Sequence, residues 1–109
     1  MKATVTWAGA RTFVGQPESG HAIAFGTAHG DTPKPGPSPM ELLLIGTGGC
    51  AAWDVIAILE KGREPVTDAR VEIDADRADT DPKVFTRIHL HFIVSGRGLN
   101  PAKVERAVA

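Results

Sequence analysis

The segment from Ser38 to Gly62 constrains this chain more than any other, because it begins like a helix and stays apolar for several turns. Ser38-Pro39-Met40-Glu41 forms a capping box. The Ser38 hydroxyl can accept from the free amides of the first turn. Pro39 is preset for the first helical position, and Glu41 can reach back to the Ser38 amide. Leu42, Leu43 and Leu44 follow, and the helix is predicted to reach about Lys61, with Gly62 as a left-handed terminator. At 1.5 Å per residue it spans roughly 33 Å. Glu41, Asp54 and interspersed glycines and threonines make it read as a buried helix rather than a membrane span.

Gly46, Gly48 and Gly49 weaken such a helix, each by about 1 kcal/mol relative to alanine. Close approach of another backbone offsets that cost where glycine leaves room. The stretch Gly46 to Ala52 is therefore predicted to pack tightly on a sheet or a second helix, with a kink as the alternative.

What flanks the helix is strand-like. Residues 3–7 alternate, Gly9 breaks them, Phe13-Val14-Gly15 follows, and a polar turn runs from Pro17 to Gly20 before a strand over His21 to Phe25. An antiparallel meander is implied. Residues 26–37, rich in Gly and Pro, read as a loop.

After the helix, residues 66–77 and 84–94 form a hairpin about Asp79-Thr80-Asp81-Pro82. Pairing about that turn sets Glu72 near His91, Asp74 near His89 and Asp76 near Arg87, acid facing base on the polar face. The apolar face, with Val71, Ile73, Leu90 and Phe92, would rest on the helix. Antiparallel sheet plus one long central helix argues for an α+β fold. Asn100-Pro101 then reads as the cap and first residue of a last helix that stops at Ala109 without a terminator, which predicts a fragment of a longer domain. The length of 109 residues suits one domain, here 1–109 and incomplete, with a core small enough to benefit from a second subunit.

The net charge of −1 includes no block of one sign, so neither nucleic acid nor an anionic membrane surface is implied as a partner. A single cysteine excludes an internal disulfide and points to reducing cytoplasm. That cysteine, Cys50, is the one strong nucleophile. It can be a buried, inert thiol. Reactivity requires a stabilised thiolate, and Cys50 lies three turns into the helix, beyond the reach of the helix dipole. Asp54 opposes ionisation, so a cation is needed, and Arg11, after Gly9-Ala10 in the first turn, is the candidate. His89 and His91 share a strand face, but the acidic residues opposite explain them without metal, and no cofactor is implied.

Ser38-Pro39-Met40-Glu41-Leu42-Leu43-Leu44, Gly48-Gly49-Cys50, Asp54-Val55 and Ile58-Leu59 together resemble the OsmC/Ohr family, most closely its YhfA-like branch. Phe13-Val14-Gly15, Lys83-Val84-Phe85-Thr86 and His89-Leu90-His91-Phe92 extend the resemblance over the whole chain. It implies an OsmC-like intertwined homodimer, with two sites at the subunit interface, that reduces organic hydroperoxides through a cysteine on the central helix. Cys50 matches that cysteine. Arg11 is the nearest match to the family's catalytic arginine, and Glu41 completes the candidate catalytic set. Met40 occupies the position where peroxidase members carry a glutamate, and Glu41 stands one residue later. The family's resolving cysteine would fall beyond Ala109, so turnover needs either that segment or an external thiol reductant. A non-catalytic dimeric or small-ligand-binding protein is the alternative.

Overall fold

The computed structural model describes residues 1–109. The chain divides into two compact units, Met1–Leu44 and Ile45–Ala109, and the long helix is continuous through the division.

The first unit is the meander and the entry to the helix. Strands β1 (Ala3–Trp7), β2 (Thr12–Pro17) and β3 (Ile23–Gly26) pair antiparallel in the order β1-β2-β3. Thr6 pairs with Val14 and Phe13 with Phe25, and the rings of Phe13 and Phe25 stack with centroids 5.9 Å apart. The third strand starts two residues later than the pattern His21 to Phe25 suggests. Gly20 turns the chain at φ +84, and the His21 ring is drawn back to Ser19 Oγ at 3.0 Å.

Residues 27–38 form the loop, with one isolated bridge between His29 and Thr32. Its end is tied to β3. The Gly26 amide donates to Pro37 O at 2.9 Å, and a Cβ on Gly36 would lie 2.3 Å from Ala24 O.

The capping box forms as the sequence requires. The Glu41 amide donates to Ser38 Oγ at 3.2 Å, and Glu41 Oε1 accepts from the Ser38 amide at 2.8 Å. Helix α1 then runs from Pro39 to Lys61.

The second unit holds the rest of α1, the hairpin of β4 (Asp68–Arg77) and β5 (Phe85–Ser95), and α2 (Pro101–Val108). The hairpin register sets Glu72 opposite His91, Asp74 opposite His89 and Asp76 opposite Arg87, with an irregularity after Asp76. The ion pairs follow that register only for Asp76 and Arg87. Arg87 donates to Asp76 Oδ2 at 2.8 Å and to Asp74 Oδ2 at 2.6 Å, while Arg70 approaches Glu72 at 3.4 Å. The forked guanidinium reaches a directly opposite and a diagonal carboxylate together, leaving neither histidine paired with an acid.

The core is small: Val55 and Leu59 of α1 and Ala107 of α2, with Val66, Phe92, Val94 and Val104 packed on it. The Asn100 side chain accepts from the Ala102 amide, capping α2 as expected, and the Asn100 backbone amide donates to Glu64 Oε1 at 3.3 Å.

Three expectations about α1 are corrected. Its terminator is Arg63, at φ +57, not Gly62. The Glu64 amide donates to Leu59 O and the Arg63 amide to Glu60 O, both at 2.9 Å, a Schellman arrangement that puts the left-handed residue one place further on. Tight packing of the glycines holds for Gly48 alone, where a Cβ would meet Ile73 Cδ1; Gly46 and Gly49 have open space around them. Nor is α1 a buried helix within this chain. It is long and apolar enough to cross a membrane, and 17% of its most apolar stretch is buried. The hairpin and α2 cover only the stripe bearing Gly48, Val55 and Leu59, so Leu43, Ile45, Trp53 and Ile58 stay exposed.

Candidate functional site

Cys50 is the natural centre of a site, since no other side chain here combines nucleophilicity with access. Three turns of helix carry it from the Ser38 cap, on the side of α1 that the core stripe leaves uncovered. The thiol is exposed, so Cys50 is not a buried residue within this chain.

Around it, Gly49, Cys50, Trp53 and Asp54 line a shallow depression of about 340 Å³. Gly49 and Trp53 also line an adjoining groove of about 590 Å³, with Ala52, Ile56, Ala57 and Ala69 along it and Glu60 and Lys61 at its end. The one-turn spacing of Gly49, Trp53, Ala57 and Lys61 explains why they share a face. The glycine leaves the sulfur unshielded, Trp53, 72% exposed, supplies an apolar wall, and Asp54 supplies the only charge in the depression.

The other two candidates lie in the first unit. Glu41 stands in the first turn of α1, where its carboxylate accepts from the Ser38 amide and is ion-paired with Lys34. Those contacts hold its carboxyl down at about 2, Lys34 contributing most and Ser38 next. A carboxylate satisfied in this way keeps the helix entry in shape and is poorly suited to moving protons. Arg11 follows the β1–β2 turn and is exposed; its Nη1 donates to Ala10 O at 3.2 Å and pairs with no acid. Glu41 and Arg11 are therefore not partners of one another.

Lys34 escaped the sequence reading. It lies in the proline-rich loop ahead of the cap, and it is the only cation between Arg11 and Lys61. That isolation, seven residues before Glu41, is the signal that could have revealed the pair. No three His, Cys, Asp or Glu side chains gather into a cluster able to hold a metal ion.

Comparison with known proteins gives this geometry a family. The sequence model of OsmC-like protein matches residues 29–109. Protein YhfA of Escherichia coli (strain K12) is 47% identical over 108 residues, which are 99% of this chain and 78% of YhfA. A solved structure described as structural genomics superposes with a TM-score of 0.85 at 46% identity, over 99% of this chain and 78% of that one. The crystal structure of a hypothetical protein from Aquifex aeolicus VF5 gives 0.84 at 28% identity, over 98% and 74%. With the loop, the capped helix, the cysteine and the hairpin all inside the matched residues, this chain belongs to the OsmC-like protein family, close to its YhfA branch.

Proposed function

We propose that the protein reduces organic hydroperoxides with an external thiol, through a sulfenic acid on Cys50, as a cytoplasmic homodimer. The observation that carries the reading is the exposed Cys50 beside an apolar wall, on the central helix of an OsmC-like chain. Residues 1–109 act as one OsmC-like domain in this reading, completed by a second copy that covers Leu43, Ile45 and Trp53.

In the first step the Cys50 thiolate attacks the terminal, hydrogen-bearing oxygen of R–O–O–H. The S–O bond forms, the O–O bond breaks, and the alkoxide takes a proton to leave as the alcohol. Cys50 becomes Cys–SOH. An external thiol then displaces water to give a mixed disulfide, and a second thiol releases the reduced enzyme. Within residues 1–109 there is no second cysteine to do this. Arg11 is the cation that the family resemblance assigns to the thiolate, Trp53 beds the alkyl group, and Glu41 orders the helix entry.

The test is consumption of cumene hydroperoxide with a dithiol reductant, by the protein and by Cys50→Ala. Loss of essentially all thiol-dependent consumption in the variant is expected, since the covalent intermediate can no longer form. Equal rates would end the peroxidase reading.

A second reading, a non-catalytic dimer that binds a small ligand in the groove beside Cys50, draws support from Glu41. Its carboxylate is already committed to Lys34 and Ser38, and Met40 takes the place after Pro39. A thiol that stays inert to peroxide until the protein unfolds would favour it.

A further inference from the structure

The way α1 ends leaves Gly62 without a backbone role. Arg63 takes the left-handed conformation, so position 62 does not call for glycine. A Cβ there would meet only the carbonyl oxygens of Leu59 and Ile58, at 3.5 and 3.6 Å, which is ordinary contact. What the missing side chain does provide is space. Gly62 lines a cavity of about 220 Å³ between the end of α1 and α2, with Ile58 and Leu59 as its apolar floor and Glu64, Lys103 and Arg106 around it. All of these residues belong to the second unit.

The charges at this cavity are sorted. Lys103 and Arg106 stand three residues apart on α2, hence on one face. Val104 and Ala107 turn to the core, and the helix's single acid, Glu105, lies at a different depression, with Leu90 and Phe92. No carboxylate pairs with Lys103 or Arg106. The last carbonyls of α1 do not account for these cations either, since Ile58 O, Glu60 O and Leu59 O accept from the Gly62, Arg63 and Glu64 amides. The one acid at the cavity, Glu64, already accepts from the Asn100 amide through Oε1 at 3.3 Å. Two unpaired cations against one engaged carboxylate give an apolar floor a net positive rim.

A concave apolar surface with a few convergent polar groups is the usual form of a small-molecule site. The volume equals that of roughly seven water molecules, enough for one ring or a short hydrocarbon body. A guanidinium fork matches a carboxylate, and an ammonium beside it adds a second positive charge.

We propose that this cavity binds a small amphipathic monocarboxylate, its ring or hydrocarbon body resting on Ile58 and Leu59 in the room left by Gly62, its carboxylate held by Arg106 and Lys103. The site shares no lining residue with the depression at Cys50 or the groove beside it, and it requires no thiol chemistry.

The test is titration of 4-fluorobenzoate into the isotope-labelled protein, followed by fluorine NMR and by amide shifts. Saturable shifts are expected at Gly62, Glu64, Lys103 and Arg106. Lys103→Gln with Arg106→Gln should weaken binding about tenfold, the equivalent of two exposed ion pairs, and the neutral 4-fluorobenzamide should bind the unaltered protein weakly to the same degree. Glu64→Gln keeps the acceptor for the Asn100 amide and removes the like charge, so binding should tighten by about twofold to fivefold. Gly62→Leu fills the cavity and should abolish binding, while Cys50→Ala leaves it unchanged. Absence of saturable shifts at the cavity, equal affinity for the amide, or indifference to the double variant or to Gly62→Leu overturns the proposal. Loss of binding in Cys50→Ala would place the probe beside the thiol and overturns it as well.

Discussion

Gly48 of α1 and Ile73 of β4 meet so closely that a methyl group on Gly48 would lie 2.3 Å from Ile73 Cδ1. This contact seats the hairpin on the helix. It divides three neighbouring glycines into one that is needed for packing and two that are not needed for it within this chain.

Gly48→Ala forces Ile73 to move, and overpacking of this kind costs about 1–3 kcal/mol, partly offset by about 1 kcal/mol of helix propensity. Gly46→Ala and Gly49→Ala meet open space and gain only the propensity. Urea midpoints should therefore fall for Gly48→Ala, while the other two variants of the isolated subunit become more stable. If these two instead weaken self-association, the second copy approaches α1 at those glycines.

Arg63 holds a left-handed conformation that glycine adopts without strain. Replacing it by glycine removes a penalty of roughly 1–2 kcal/mol and adds a backbone-entropy cost of about 0.5–1 kcal/mol. A net gain of about half to one kcal/mol is expected in chemical denaturation. A loss would mean that the Arg63 side chain contributes more than its backbone costs.

Leu59 is 1% exposed and sits at the centre of the core with Val55 and Ala107. Leu59→Ala should cost about 2–5 kcal/mol, as core truncations do. In so small a core that is a large share of the whole, and calorimetry should show a markedly lower melting temperature or no cooperative transition.

The Glu41 carboxyl is held below its ordinary 4.5, at about 2, by Lys34 and then by Ser38. Since the folded value is the lower one, its contribution to stability is present in full above about 4.5 and is lost as pH falls toward about 2. Denaturation of the protein and of Glu41→Gln, compared across pH, should show a difference at neutral pH that closes through that window. A difference unchanged at pH 2 would show that the charge of Glu41 is not what caps the helix.

Ile45 and Trp53, 60% and 72% exposed, mark the uncovered side of α1. Light scattering should report a dimer, and Ile45→Lys with Trp53→Glu should shift it to monomer, because a buried unpaired charge is strongly unfavourable at an interface. A monodisperse monomer before any substitution would remove the homodimer from the reading.

Where local chemistry decides an outcome, the order of residues in the chain was enough to read it. Ser38 and Glu41 capped the helix, Asn100 and Pro101 began the last one, and alternation about the 79–82 turn set Asp76 against Arg87. What escaped depended on distances that spacing does not contain. Arg87 chose two carboxylates over one, the Schellman bonds put the left-handed residue at Arg63, and a lysine in a loop took Glu41. For the site, Cys50 was legible as the only thiol, but its exposure follows from how narrow a stripe of α1 the hairpin covers.

The anchors of helix α2, Val104 and Ala107, find their partners on α1 and β5, which precede it in the chain. It can consolidate only after the hairpin has closed and brought Phe92 and Val94 alongside Leu59. Order in this helix is therefore borrowed from the hairpin, and truncating Phe92 should speed amide exchange in α2 as well as in β5.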